Sequence, residues 1–178
     1  MRIELTTDRL LLRDYRPDDL AAFSAMSADK KFQRFYSEQD CSEVHWHNLV
    51  NQFSQEHNQT KRSDFNLAIE MRDTGLFIGA VGIRIEAHQQ ASVGCALIRN
   101  QQHRAVAIEA MRAIAEFGFL QLDVHRVYAE TIADNHAAIR LCRQLGMRKE
   151  AEFVEHRYFK DRWWNTVVFG LLKGQYKF

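Results

Sequence analysis

The chain has 178 residues, 46% of them hydrophobic, and its 24 Lys and Arg against 23 Asp and Glu leave a net charge of +1. This is the length of one domain with enough residues to bury a core, and the lack of a long apolar run excludes a membrane-spanning helix. Balanced charge without a long basic run argues against nucleic acid as a partner.

Three cysteines, Cys41, Cys95 and Cys142, are odd in number and lack metal spacing, so they read as reduced thiols of a cytoplasmic protein. Met1-Arg2-Ile3-Glu4 leads into a strand pattern rather than the apolar segment of a secretory leader.

In chain order, hydrophobic periodicity predicts a strand over 4–13, a helix over 17–28 opened by Pro17, and a helix near 42–58. Strands follow over 64–71 and 76–87. The apolar run 91–98, in which Val93, Cys95 and Leu97 alternate with Gly94, Ala96 and Ile98, reads as a well-buried strand. Gly94 marks either a bulge that opens the sheet or a closely packed strand glycine.

The chain then turns polar through Arg99-Asn100-Gln101-Gln102-His103-Arg104. Beyond it Val106, Ala110, Ile114, Phe117 and Leu120 recur at helical spacing, so a helix starts near Arg104 or Ala105. Its first amides lack intrahelical acceptors and carry the positive end of the dipole, which suits a phosphate, and His103 and Arg104 add cationic character. An ordinary strand-to-helix connection with a solvated arginine is the simpler reading of the same residue types.

A strand over 126–132 precedes a helix over 135–145, capped by Asp134 or Asn135, with Ala138, Leu141, Cys142 and Leu145 on its apolar face. Gly146 stands where a left-handed C-cap is wanted. Strands over 148–159 and 164–173 close the chain as a hairpin turned near Asp161-Arg162, and Trp163 and Trp164 straddle it, so one of them faces out. The pattern is one mixed sheet with helices on both faces.

Four stretches carry a family resemblance that covers nearly the whole chain. They are Thr7-Asp8-Arg9-Leu10-Leu11-Leu12-Arg13 with Arg16-Pro17-Asp18-Asp19; Ile78-Gly79-Ala80-Val81-Gly82-Ile83; Asn135, Ala138 and Leu141 with Gly146-Met147; and Tyr158-Phe159-Lys160-Asp161 through Tyr176. Together they resemble the GNAT acetyltransferases, and within them the RimJ/RimL-like branch that acetylates ribosomal proteins. The resemblance implies a single α/β (α+β) GNAT domain over 1–178. Its mostly antiparallel sheet of six to seven strands, with helices on both faces, would be splayed between the fourth and fifth strands. The pantetheine arm of acetyl-CoA would enter that gap much as an added strand would.

The resemblance also implies an activity: transfer of acetyl from acetyl-CoA to a primary amine by direct attack in a ternary complex. The acceptor would be a protein N-terminus or a small amine such as a polyamine, and the protein could pair as a homodimer. Leu97, Ile98, Gln102, His103, Arg104, Ala105, Val106, Ala107 and Asn135 would bind the cofactor. In the family loop Gln/Arg-x-x-Gly-x-Gly/Ala, aligned with Gln102 to Ala107, the glycine is Ala105. Alanine there costs about 1 kcal/mol if the residue must be left-handed, and nothing if it is helical.

A backbone amide near Cys95 to Leu97 would meet the developing oxyanion. Cys142 follows Leu141 where many members carry a tyrosine, which makes its thiol the candidate general acid, although a buried helical cysteine is the plainer reading. Many relatives place a glutamate just before the strand glycine, where this chain has Ser92. Glu130 and Glu155 are base candidates by position, each reading also as a solvated strand residue, and no base is assigned.

His45 and His47 point to different helix faces, and His57, His88, His125, His136 and His156 have no partner at ligand spacing, so no metal is expected. Phe32, Phe35, Tyr36 and Trp46 fall where the family shapes its acceptor pocket, with core packing as the alternative. The departures at His103, Ala105 and Ser92 and the missing tyrosine motivate a second hypothesis: a fold kept as a binding or interaction module with weak or no acetyl-CoA use.

Overall fold

The computed structural model describes residues 2–101 and 105–178. The stretch expected as one strand over 4–13 is two, β1 (Glu4–Thr6) and β2 (Leu10–Asp14), folded back antiparallel on each other. Thr7 makes the break. Its N–H donates to the Leu10 carbonyl at 2.9 Å and its hydroxyl accepts from the Leu10 N–H at 3.0 Å, closing a turn around Asp8 and Arg9.

A single turn at Pro17–Asp19 leads into α1 (Leu20–Ser27), and Ser42 caps α2 (Glu43–Gln55) by accepting from the His45 N–H at 3.3 Å. β3 (Asp64–Met71), β4 (Phe77–Glu86) and β5 (Gln90–Leu97) then run as an antiparallel meander. They are followed by α3 (Val106–Leu120), β6 (Arg126–Ile132), α4 (His136–Gln144), β7 (Arg148–Phe159) and β8 (Arg162–Leu172).

The strands form one sheet in the order β1-β2-β3-β4-β5-β6-β8-β7, eight strands instead of six to seven because the first is split. β5 and β6 pair in parallel, while the other neighbours are antiparallel. α3 covers one face, burying Val106, Ile114 and Phe117 against Leu67, Ile83, Val127 and Phe169. α1 and α2 cover part of the other, with Phe23, Met26, Trp46 and Val50 over Ala68, Ala80 and Ala96.

Two constraints hold the sheet in place. Arg13, buried on β2, donates to both carboxylate oxygens of Asp19 at 2.8 Å and to Glu70 at 2.7 Å, so its charge is fully paired. At Gly79 a Cβ would lie 2.2 Å from the Ala96 carbonyl oxygen, so the approach of β5 to β4 there admits only glycine.

The closing hairpin turns at Lys160 and Asp161, with φ of 52° and 55°, the two-residue turn in which both residues are left-handed. Trp164 is 5% exposed and stacks on Phe159 at 5.1 Å, whereas Trp163 is 54% exposed, so one of the two faces out as expected.

Candidate active site

β5 pairs with β4 from Gln90 to Leu97, but with β6 only at Gln90–Ser92 opposite Arg126–Tyr128. Beyond Ser92 the two strands part, because β6 pairs along its whole length with β8. The Ile98 N–H donates to the Ile78 carbonyl at 2.9 Å and fixes the alternation: even-numbered residues of β5 bond to β4. The Val93 N–H therefore closes the last pair with Tyr128, and the Val93 carbonyl and both backbone groups of Cys95 turn toward the gap. Burial along β5 follows the opening, with Ala91, Val93 and Leu97 buried and Gly94 exposed, where a strand buried throughout was expected.

Gly94 is neither a bulge nor a close-packed glycine. Its register opposite Gly82 is continuous, and no atom lies within 4 Å of where its Cβ would stand. The sheet opens because β6 leaves, not because β5 bends.

The gap widens into a cavity of about 1050 Å³ with two kinds of wall. Phe23, Phe32, Phe35, Tyr36, Trp46 and Phe53, from α1, α2 and their connection, make the apolar side. Phe32 and Tyr36 stack there at 5.1 Å, and the Trp46 indole donates to the Asp40 carbonyl at 2.9 Å. Phe32, Phe35 and Trp46 thus line a cavity and pack on buried clusters at once, whereas Tyr36 lines it while staying partly exposed. The polar side is a floor of sheet residues: Asn66, Arg84, Ser92, Tyr128 and Glu130.

Ala105 precedes α3 at φ 56° and ψ 15°, in the left-handed region, and the helix starts at Val106. The Val106 side chain is fully buried and Ala107 packs on the core, so what these residues offer an anion is backbone N–H. Leu97 is buried in the core and Ile98 packs toward α1 and α2 with its amide engaged by Ile78. Both sit beside the cavity without lining it. Gln102, His103 and Arg104 lie outside the described residues.

Asn135, not Asp134, caps α4: its Oδ1 accepts from the Ala138 N–H at 3.2 Å, while Asp134 pairs with Arg162 at 3.0 Å. Asn135 also borders the cavity. Gly146, at φ 93°, ends α4 by donating to the Arg143 carbonyl at 3.0 Å, as Met147 does to Cys142 at 3.0 Å.

The inner face of α4 presents Leu141 and Cys142 to the cavity. Burial pushes the Cys142 thiol up to about 11 and the Cys95 thiol up to about 12, so both are neutral near neutral pH. Glu130 borders the cavity, held by Arg157 at 2.5 Å. Glu155 does not: it sits at φ 49° in an irregular stretch of β7, its N–H donating to Asn165 at 2.9 Å. Among the described residues no three His, Cys, Asp or Glu gather as a metal site.

The family model for the acetyltransferase (GNAT) domain matches residues 9–148. The chain belongs to the GNAT acetyltransferases. As a GNAT protein it is 28% identical over 172 residues to the uncharacterised N-acetyltransferase YoaA of Bacillus subtilis strain 168, covering 95% of this chain and 96% of YoaA.

The GNAT fold is shared with the spermidine N-acetyltransferase of Vibrio cholerae, solved with CoA and spermine, at a TM-score of 0.81 and 19% identity, covering 96% and 99% of the two chains. It is shared equally with the ribosomal-protein-S5-alanine acetyltransferase of Vibrio fischeri, at 0.80 and 16%, covering 98% and 99%. These likenesses identify the fold and not a branch of the family. With the family comes the class of activity: this chain is an N-acetyltransferase. No helix among the described residues is long and apolar enough to cross a membrane.

Sequence reasoning missed two residues of this GNAT site, Tyr128 and Glu86. The Tyr128 hydroxyl donates to the Glu86 carboxylate at 2.9 Å and 3.0 Å. The available signal was strand alternation, which puts Tyr128 on the face of Glu130, two residues on.

Proposed function

We propose that this enzyme moves an acetyl group from acetyl-CoA to a primary amine, a protein N-terminus or a small amine such as a polyamine, by direct attack with both substrates bound. The observation that carries the proposal is the gap between β5 and β6, where the Val93 carbonyl and both backbone groups of Cys95 have no strand beside them. A pantetheine arm, with its two amides, suits that edge. The first-turn amides of α3 at Val106 and Ala107 would seat the pyrophosphate at the positive end of the helix dipole, with Gln102, His103 and Arg104 just before them in sequence.

When bound, acetyl-CoA supplies the activated carbonyl and the thiol leaving group. The Cys95 N–H would donate to the carbonyl oxygen as charge develops on it. Cys142 would donate from its thiol to the departing sulfur. Held up to about 11, it supports the sulfur by hydrogen bonding more than by full proton transfer. The aromatic wall of α1 and α2 would receive the acceptor's carbon chain, and the Asp40 carboxylate at its edge, held by the Ser37 hydroxyl at 2.7 Å, suits a cation. The thiols of Cys41, Cys95 and Cys142 are free, in keeping with a cytoplasmic site of action.

Titration calorimetry of acetyl-CoA and CoA is the test. Micromolar binding, with release of free CoA when peptides or polyamines are added, is expected. At 100 times its dissociation constant the ligand stabilises the fold by about 2.7 kcal/mol, so no heat and no melting shift at millimolar acetyl-CoA would overturn the proposal.

A further inference from the structure

We propose that Ser92, Tyr128 and Glu86 form a proton relay that carries the proton from the acceptor nitrogen to solvent, an inference that rests on the acetyl transfer proposed above. Ser92 is the last residue of β5 paired to β6, and Cys95, whose N–H faces the gap, is three residues on. Tyr128 is its partner across the parallel pair, and both border the cavity. Across that pair the Ser92 side chain stands beside the phenol and favours its ionised form. The phenol donates to Glu86 Oε1 at 2.9 Å and Oε2 at 3.0 Å, and Glu86, at the end of β4, is open to water.

The surrounding charges are otherwise committed. Asp64 pairs with Arg84 at 2.7 Å, Glu130 with Arg157 at 2.5 Å, and Glu150 with Arg126, whose guanidinium also lies 5.0 Å from the centre of the Tyr128 ring. Among these described residues Glu86 is the carboxylate held by a hydroxyl instead of a cation. Burial raises the Tyr128 phenol above its ordinary range, and its bond to Glu86 raises it further, so it keeps its proton at neutral pH.

The transfers balance. An N–H bond of the acceptor ammonium breaks as its proton passes to a bridging water, that water gives a proton to the Ser92 oxygen, and the proton Ser92 already held passes to the Tyr128 oxygen. The phenol's proton passes to the Glu86 carboxylate, which releases it to water. The freed lone pair on nitrogen attacks the acetyl carbonyl. Three strand residues, about 10 Å, separate Ser92 from Cys95, so water links the amine to Ser92, and Tyr128 and Glu86 act through it.

The test compares wild type, Tyr128→Phe, Glu86→Gln and the double variant for kcat and KM at saturating acetyl-CoA, from mildly acid to about pH 10. Each single variant is expected to lose about 10²–10³-fold in kcat near neutral pH, with acetyl-CoA affinity and melting temperature unchanged. The deficit shrinks as pH approaches the pKa of the amine, which then arrives neutral. The double variant is no slower than Tyr128→Phe alone, since the groups act in series.

A wild-type rate in Tyr128→Phe, a loss equal at every pH, or multiplying losses would overturn the relay alone. A wild type that binds acetyl-CoA yet acetylates no amine would overturn the relay and the acetyl transfer together. Glu86→Gln, at an exposed position, keeps the test in force if Tyr128→Phe fails to fold.

Discussion

Replacing Ala105 with glycine isolates a single backbone conformation at the entrance to α3. At φ 56° and ψ 15° the residue is left-handed, where a Cβ crowds the following carbonyl oxygen at a cost of roughly 1–2 kcal/mol. Glycine escapes that crowding, but it enlarges the unfolded ensemble, which offsets about 0.4–1 kcal/mol. The expected result is a net gain of about 0.5–1 kcal/mol, or about 1–4 °C in Tm for a domain of this size.

The control is the same substitution inside the helix. Ala113 on α3 has helical backbone and packs on the core, so Ala113→Gly loses about 1 kcal/mol of helix propensity and part of a buried methyl besides. Thermal and urea unfolding of the three proteins should place the two variants on opposite sides of wild type. If Ala105→Gly falls below wild type as far as Ala113→Gly does, residue 105 is helical and the left-handed entrance is refuted. Acetyl-CoA should bind Ala105→Gly as tightly as wild type or more so, since a methyl leaves the proposed pyrophosphate seat. Weaker binding in a more stable protein would refute that seat while leaving the strain intact.

Three further substitutions test the frame around the site. Gly79→Ala places a Cβ 2.2 Å from the Ala96 oxygen and should cost about 1–3 kcal/mol in urea unfolding, while Gly94→Ala, with nothing within 4 Å, should be near neutral; equal losses would refute the β4–β5 register. Asp19→Ala strands the buried Arg13 guanidinium with Glu70 alone and should cost about 3 kcal/mol, read as a Tm drop of about 6–12 °C. The Cys142 thiol is raised to about 11 in the fold, against about 8.5 for an unfolded cysteine, so the folded state holds this proton longer. Its contribution to stability is complete below the unfolded value and lost as pH climbs toward about 11. Cys142→Ala should flatten that decline in urea midpoints, and an unchanged slope would place the titration elsewhere.

Much of the fold was legible because it is written locally. Strand alternation from 64 to 97 and helical spacing from Val106 to Leu120 are properties of neighbouring residues, and Gly146 after Leu145 announces a helix end that the structure closes through Arg143 and Cys142. The break at Thr7 was not legible, because it is held in part from afar. Glu109 on α3 accepts from the Thr7 hydroxyl at 2.6 Å and from the Arg9 N–H at 2.9 Å, across about a hundred residues of chain. The candidate site divides the same way. Asn135, Cys142 and the aromatics of the α1–α2 region could be picked out singly, whereas Glu86 and Tyr128 meet only because β4, β5 and β6 align in one particular register.

That register also explains why the gap and the polar floor occur together. β6 is parallel to β5 for three residue pairs and antiparallel to β8 for seven, so its longer partner decides its direction beyond Tyr128. The departure of β6 leaves the Val93 carbonyl and both backbone groups of Cys95 without a strand beside them, which makes room for an extended ligand. It also leaves the sheet face beyond α1 and α2 uncovered at Ser92, Tyr128 and Glu130, where polar side chains reach water without being buried unpaired. An aromatic wall on one side and a hydrogen-bonded, water-connected floor on the other then meet at the Cys95 amide. In the proposed reaction an amine would arrive there from an apolar pocket and lose its proton toward solvent, with no bulge in β5 needed to create the opening.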